Sequence, residues 1–104
     1  MNQIKFRVWT GTLMIDSGFS INPNGRIYDV HRKHQPKWIA LQFVGIQDES
    51  GVDIYQDDVF LPKYNLLQAQ IVTYENGKFN ISGYRYNKCK IIGNIHQNPE
   101  LKKL

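Results

Sequence analysis

The sequence predicts a mainly β protein, a compact small barrel or sandwich of short antiparallel strands closed by a short C-terminal helical turn. Three observations carry that prediction. Apolar and polar residues alternate over short runs, Gly-containing turn signals punctuate those runs about every 8–12 residues, and no helical apolar period is sustained. An α+β arrangement is the alternative, because Leu66, Leu67 and Ala69 also suit a helical turn.

Ile4, Phe6 and Val8 alternate with Lys5 and Arg7, which describes a strand with one wet face. Leu13-Met14-Ile15 reads as a short second strand. Asn22-Pro23-Asn24-Gly25 is a turn, with Arg26 to Val30 as the return strand. His31 to Lys37 is a polar, basic loop closed by Pro36. Trp38 to Val44 places Ile39, Leu41 and Phe43 on one face, and Asp48-Glu49-Ser50-Gly51 turns the chain again. Val52 to Tyr55 and Val59 to Leu61 are two apolar runs separated by Gln56-Asp57-Asp58, the second ended by Pro62. The end of the segment Leu66 to Tyr74 is β-branched and aromatic, hence a strand. Glu75-Asn76-Gly77-Lys78 is the strongest hairpin signal, leading to Phe79 and Ile81 in a strand with Lys78, Asn80 and Ser82 outside. Lys90 to Ile95 is the last strand. Asn98-Pro99-Glu100-Leu101 has the cap, the proline and the acid of a helix start.

The 104 residues suffice for one domain, 1–104, with no linker or repeat. Hydrophobic content of 41% and charged content of 21% fit a folded globule. Thirteen Lys and Arg against nine Asp and Glu give a net charge of +4, well below that of a dedicated nucleic-acid-packaging protein. The single cysteine, Cys89, excludes an internal disulfide and cysteine-clustered zinc sites. No signal-peptide pattern opens the chain and no apolar run is long enough to span a bilayer, so the expected compartment is the cytoplasm.

Three segments in order resemble the YopX family of small proteins encoded by phages and prophages. They are Ile4-Lys5-Phe6-Arg7-Val8-Trp9 with Met14; Leu41 to Asp48 continuing through Gly51, Ile54-Tyr55 and Asp58-Val59; and Ile92-Gly93-Asn94-Ile95 with Asn98-Pro99-Glu100-Leu101. The stretches Ile15 to Lys37 and Pro62 to Gln70 carry little of the likeness. The resemblance implies a mainly β fold, a phage setting in a bacterial host cytoplasm and a tendency to self-associate. It implies no catalytic residues. Two positions depart from the family pattern: Asp57 stands where Gly is usual, and His96 where an aromatic is usual. A Gly before that acid commonly signals a positive φ, so Asp57 is expected in a left-handed conformation.

Candidate chemistry is sparse. His31 and His34, at i and i+3, fall on opposite faces of any strand and read, with distant His96, as loop histidines rather than metal ligands. Asp48, Glu49, Asp53, Asp57 and Asp58 form an acid-only run, but the spacing is not that of a calcium loop, and turn-forming acids on a wet surface are the expectation. Cys89, between Lys88 and Lys90, has no histidine near it in sequence and reads as a half-buried, inert thiol. Ser17, Ser20, Ser50 and Ser82 lie in no nucleophile pattern, and no phosphate-cradling glycine loop is present. No catalytic residue, metal site or cofactor is therefore expected.

Tyr84, Arg85, Tyr86, Lys88 and Lys90 interleave aromatics with bases, and Arg32 and Lys33 extend the set. Such a surface suits unpaired nucleic-acid bases or a partner protein. Residues 48–58 hold five acids and no base, while 26–37 hold four Lys or Arg against one acid, Asp29. Opposed charge of this kind suits head-to-tail contacts between copies. The expected function is thus that of a non-enzymatic accessory protein, a homo-oligomer or the partner of another protein and not of a membrane. Single-stranded nucleic-acid binding is the alternative, and a metal-dependent hydrolase is third.

Overall fold

The computed structural model describes residues 4–62, 69–83 and 89–103. Those residues form eleven short strands, all paired antiparallel, with two 3-10 turns and no α-helix among them.

The alternating opening segment is β1 (Phe6–Trp9). It pairs on one side with β2 (Met14–Ile15) and on the other with β5 (Ile39–Gln47), which reaches β6 (Asp53–Tyr55). The sheet order is therefore β2-β1-β5-β6. β5 runs three residues past the predicted end, and a register irregularity between Phe43 and Gln47 brackets Gly45 at φ 100°. Such a bulge bends the sheet. Leu41 and Phe43 are buried as the alternation requires, whereas Ile39, at the strand end, is exposed.

A second sheet has the order β11-β7-β8, from β11 (Cys89–Asn94), β7 (Asp58–Pro62) and β8 (Gln70–Ile71). Its central strand, β7, is buried at every position but Leu61, so it reads as a near-continuous apolar run rather than an alternation. Phe60 lies in the main core cluster with Ile54, Val72, Ile81 and Cys89, backed by Val44, Ile46, Phe79 and Ile91. Main-chain bonds carry both sheets on into the turn between them: Gln56 N–H donates to the Gln42 carbonyl on the β5–β6 side, Asp57 N–H to that of Val72 on the β7–β8 side, and Ile95 N–H to that of Asp57 on the β11–β7 side. A two-residue tight turn joins β6 to β7 through Asp57, whose φ of 69° is the left-handed conformation expected for it.

Two hairpins complete the molecule. β9 (Tyr74–Glu75) and β10 (Lys78–Phe79) meet at Asn76 and Gly77, with φ of 54° and 81°. Two consecutive positive φ values define the mirror-image turn that matches strand twist. The other hairpin pairs β3 (Phe19–Ile21) with β4 (Ile27–Asp29) across the Asn22–Arg26 turn. β3 was not predicted, since three residues between Gly18 and Asn22 carry too little alternation. As a result β2 returns onto β1, and β3 takes β4.

The expected strand through Ile81 is corrected. Asn80–Gly83 is a 3-10 turn. Asn80 accepts the Thr73 N–H at 3.0 Å and donates to the Ile71 carbonyl at 2.7 Å, so its side chain replaces ladder bonds and the backbone is released to turn. The C-terminal turn is 3-10, Pro99–Lys103. It packs over Gly93, where a Cβ would come within 2.8 Å of Leu101 Cδ1.

Candidate functional site

Three alternate residues of the opening segment, Lys5 just before β1 and Arg7 and Trp9 within it, meet the acid run. Lys5 Nζ donates to Asp53 Oδ2 at 2.6 Å, and the Arg7 guanidinium donates to Asp58. Trp9 stacks on His96, with centroids 5.9 Å apart and planes 29° from parallel, and His96 Nε2 lies 2.8 Å from Asp57 Oδ2. Lys5 also sits 4.4 Å over the Phe43 ring, and Arg7 4.4 Å over that of Tyr55. The wet face of β1 is thus a charged layer spread over aromatic rings, closed from above by residues 53–58.

The expectation of turn acids on a wet surface is corrected for two of the five, Asp58 and Asp48. Asp58 is 1% exposed, and its carboxylate also accepts the Tyr55 N–H at 2.8 Å. Burial pushes its pKa above the usual carboxylate value against the opposing charge of Arg7. Asp48 is 6% exposed and caps backbone donors of Ser50, Val52 and, across the core, Ile91. Burial raises its pKa, but those three N–H donors outweigh it and hold the carboxyl below its ordinary value. Hydrogen bonds from Lys5 and then Gln47 lower the pKa of Asp53, and the same contact raises that of Lys5. Glu49 is exposed. The signal that sequence reasoning missed was complementary: alternating cations Lys5 and Arg7 opposite an acid-only run, separated by 48 and 51 residues. Arg7 Nε is buried without a hydrogen-bond partner among the described residues, which fits its place over the Tyr55 ring.

The other candidates are scattered. Tyr84, Arg85, Tyr86 and Lys88 lie outside the described residues, so the aromatic–basic segment contributes only Lys90, exposed on β11. Cys89 is 1% exposed rather than half-buried, and burial, with Glu49 and Asp48, pushes its thiol pKa up. His31 and His34 are exposed, as expected of loop histidines, and His34 packs by its ring against Tyr28 at 5.4 Å. No cluster of three metal-ligating side chains occurs among the described residues. A cavity of about 380 Å³ opens beside the charged layer between Met14, Ile15 and Asp16 on one side and Val52, Asp53 and Tyr55 on the other.

The basic loop is different. Arg26, Arg32, Lys33 and Lys37 are all exposed, and none forms an ion pair among the described residues. The nearby acid, Asp29, faces its own loop: it accepts the N–H groups of His31 and Lys33 and the side chain of Gln35. Those bonds, led by the one from Lys33, lower its pKa.

The geometry defines a small all-β protein of curled antiparallel sheets whose acids are largely engaged internally and whose most exposed charge is cationic. The sequence profile described as "YopX protein" matches residues 5–103, and the chain belongs to the YopX family. Its fold is similar to that of protein EF1440 from Enterococcus faecalis, at a TM-score of 0.63 and 20% identity, covering 97% of this chain and 99% of that one. It is also similar to protein yopX from Bacillus subtilis, at a TM-score of 0.58 and 22% identity, covering 97% and 96%. No match was found among curated proteins. No helix among the described residues is long and apolar enough to cross a membrane.

Proposed function

We propose that this chain is a non-enzymatic accessory protein of phage or prophage type, acting in the bacterial host cytoplasm by association with itself or with another protein. The observation that carries this reading is the uneven use of charge. Asp48, Asp53, Asp57 and Asp58 are tied into the fold, while the cations of residues 26–37 face solvent unpaired. Acids held this way are poor general bases, because their lone pairs and orientations already serve structural bonds. Exposed, uncompensated cations favour partners that carry negative charge. Sedimentation velocity over a wide concentration range, alone and with host extract, tests the reading. A clean monomer that retains nothing refutes it.

The same bare cations favour single-stranded nucleic acid as a second reading, with Lys90 as a further phosphate contact. Phosphate binding weakens steeply with salt. A labelled oligonucleotide that stays free at low salt removes it.

A further inference from the structure

Arg32 occupies a left-handed backbone conformation, with φ of 63°. The hydrogen bonds show what demands it. The Arg32 N–H donates to the Asp29 carbonyl at 2.9 Å, closing a turn through Val30 and His31. The Asp29 N–H donates to the Lys33 carbonyl at 2.9 Å one residue later. A turn followed by one left-handed residue is the three-residue hairpin loop, and its left-handed place is ordinarily glycine's. Arginine has a Cβ that is strained there and lacks the short side-chain oxygen that lets Asp and Asn tolerate it.

The surrounding bonds hold the strained residue in place. Asp29 Oδ1 accepts the His31 N–H at 2.8 Å and the Lys33 N–H at 3.0 Å, and Oδ2 accepts Gln35 Nε2 at 2.8 Å. The Gln35 N–H is anchored on the Ile27 carbonyl at 2.8 Å. A rigid scaffold thus presents an exposed guanidinium at a place where glycine would fit better. Strain that the surroundings sustain is a pointer to function.

The tip also selects among partners. Val30, two residues away, is 72% exposed, so an apolar side chain stands beside the cation. Arginine with adjoining apolar surface is the composition of a protein-interface anchor. A single-strand binder needs aromatic faces for the bases, and the ring within this loop region, Tyr28, is half-buried against His34. A second copy of this chain offers exposed carboxylates only singly, at Asp16, Glu49, Glu75 and Glu100 on four separate segments, since Asp29, Asp48, Asp53, Asp57 and Asp58 are engaged internally.

We propose that the Val30–Lys33 tip is a preformed docking anchor for a different protein with an acidic surface, Arg32 gripping a partner carboxylate while Val30 covers adjacent apolar surface. This rests on the association reading above and names its partner class. A guanidinium–carboxylate pair is bidentate and charge-assisted, which gives geometric selection beyond net charge.

The test uses the full chain, a labelled peptide of Glu-Glu-Leu repeats and a thymidine oligonucleotide of equal length. Arg32→Gly is expected to weaken peptide binding roughly tenfold. The same substitution is expected to raise the melting temperature by roughly 2–8 °C, through relief of the left-handed strain. Lys37→Ala removes the same charge outside the tip and should change peptide affinity less than about twofold. Equal loss in both variants reduces the effect to bulk charge and overturns the proposal. So does an Arg32→Gly variant that melts no higher than the parent. Tighter, Arg32-dependent binding of the oligonucleotide makes the partner a nucleic acid and overturns it too. If the wild type self-assembles but ignores the peptide, the association reading survives and this proposal falls. If it is monomeric but binds the peptide through Arg32, the self-association arm falls and the proposal stands.

Discussion

Arg7→Met leaves a carboxylate stranded in the interior, and the cost can be worked from the structure. Asp58 is 1% exposed, and its carboxylate accepts from the Arg7 guanidinium and, at 2.8 Å, from the Tyr55 N–H. Removing one member of a buried ion pair costs about 3–5 kcal/mol, because the remaining charge keeps its desolvation penalty without its partner. Met preserves much of the aliphatic stem, so packing changes little. The Lys5–Asp53 pair, with side chains 31% and 32% exposed, stays solvated and leaves no such stranded charge when broken. In a domain of this size about 4 °C of melting temperature accompanies each kcal/mol, so the midpoint should fall by about 12–20 °C. The pH dependence fixes the sign. Asp58 has a folded pKa raised above its ordinary 3.8, and a raised pKa contributes stability fully present below the unfolded value and lost as pH rises through the folded one. Taking Arg7 away raises the folded pKa further, so the deficit is full at neutral pH and shrinks as Asp58 takes up its proton on acidification. Urea denaturation followed by tryptophan fluorescence at several pH values measures both. A loss under about 1 kcal/mol, as for an exposed pair, or a loss flat in pH refutes the reasoning. Arg7→Met with Asp58→Leu should recover most of the loss, since both charges are then gone.

Gly93→Ala places a Cβ 2.5 Å from Asn98 Oδ1 and 2.8 Å from Leu101 Cδ1, so overpacking should cost ~1–3 kcal/mol in a urea titration; full stability would show that the C-terminal turn does not pack there. Asp29, Asp48 and Asp53 all have lowered pKa values and contribute stability that is present above their ordinary 3.8 and lost as pH falls through the folded values. The wild-type urea midpoint should therefore drop on acidification from pH 5 toward about 3, and a flat profile contradicts those contacts. The buried Cys89 thiol, with its pKa pushed up, should react with a thiol reagent far more slowly in the native protein than in denaturant; equal rates contradict its burial.

The reversals were legible because they depend on local chemistry. Gly25, Gly51 and Gly77 all carry positive φ, and Asn76-Gly77 makes the predicted hairpin. Asp57 was legible for the same reason. What local pattern misses is what another segment supplies. Ser82 and Asn80 alternate with Phe79 and Ile81 as strand residues would, yet Asn80 bonds the 71–73 segment and converts the run into a 3-10 turn. The acids were misread because burial belongs to the pair and not to the residue. An Asp in a turn looks wet until a cation 51 positions earlier is folded over it. The bare cations of residues 26–37 were legible as a charged loop, but the rigidity that makes Arg32 notable follows from the three bonds to Asp29, which no spacing announces.

Asp57 and His96, the positions where the resemblance leads one to expect a glycine and an aromatic, are 39 positions apart and touch. A glycine and an aromatic would need no polar contact there; an Asp and a His make one at 2.8 Å while the imidazole keeps the stacking on Trp9. Each polar side chain then finds its partner in the other. Asp57→Gly alone should be nearly neutral, since relief of left-handed strain, ~0.5–1 kcal/mol, offsets a lost hydrogen bond of about 1 kcal/mol. His96→Phe alone should cost ~1–2 kcal/mol, because it keeps the ring but strips a donor from a carboxylate only 21% exposed. The double variant should return close to the parent, giving a coupling of ~1–2 kcal/mol in a urea-denaturation cycle. Additivity within about 0.3 kcal/mol would mean that the two positions changed independently and that their contact carries no stability.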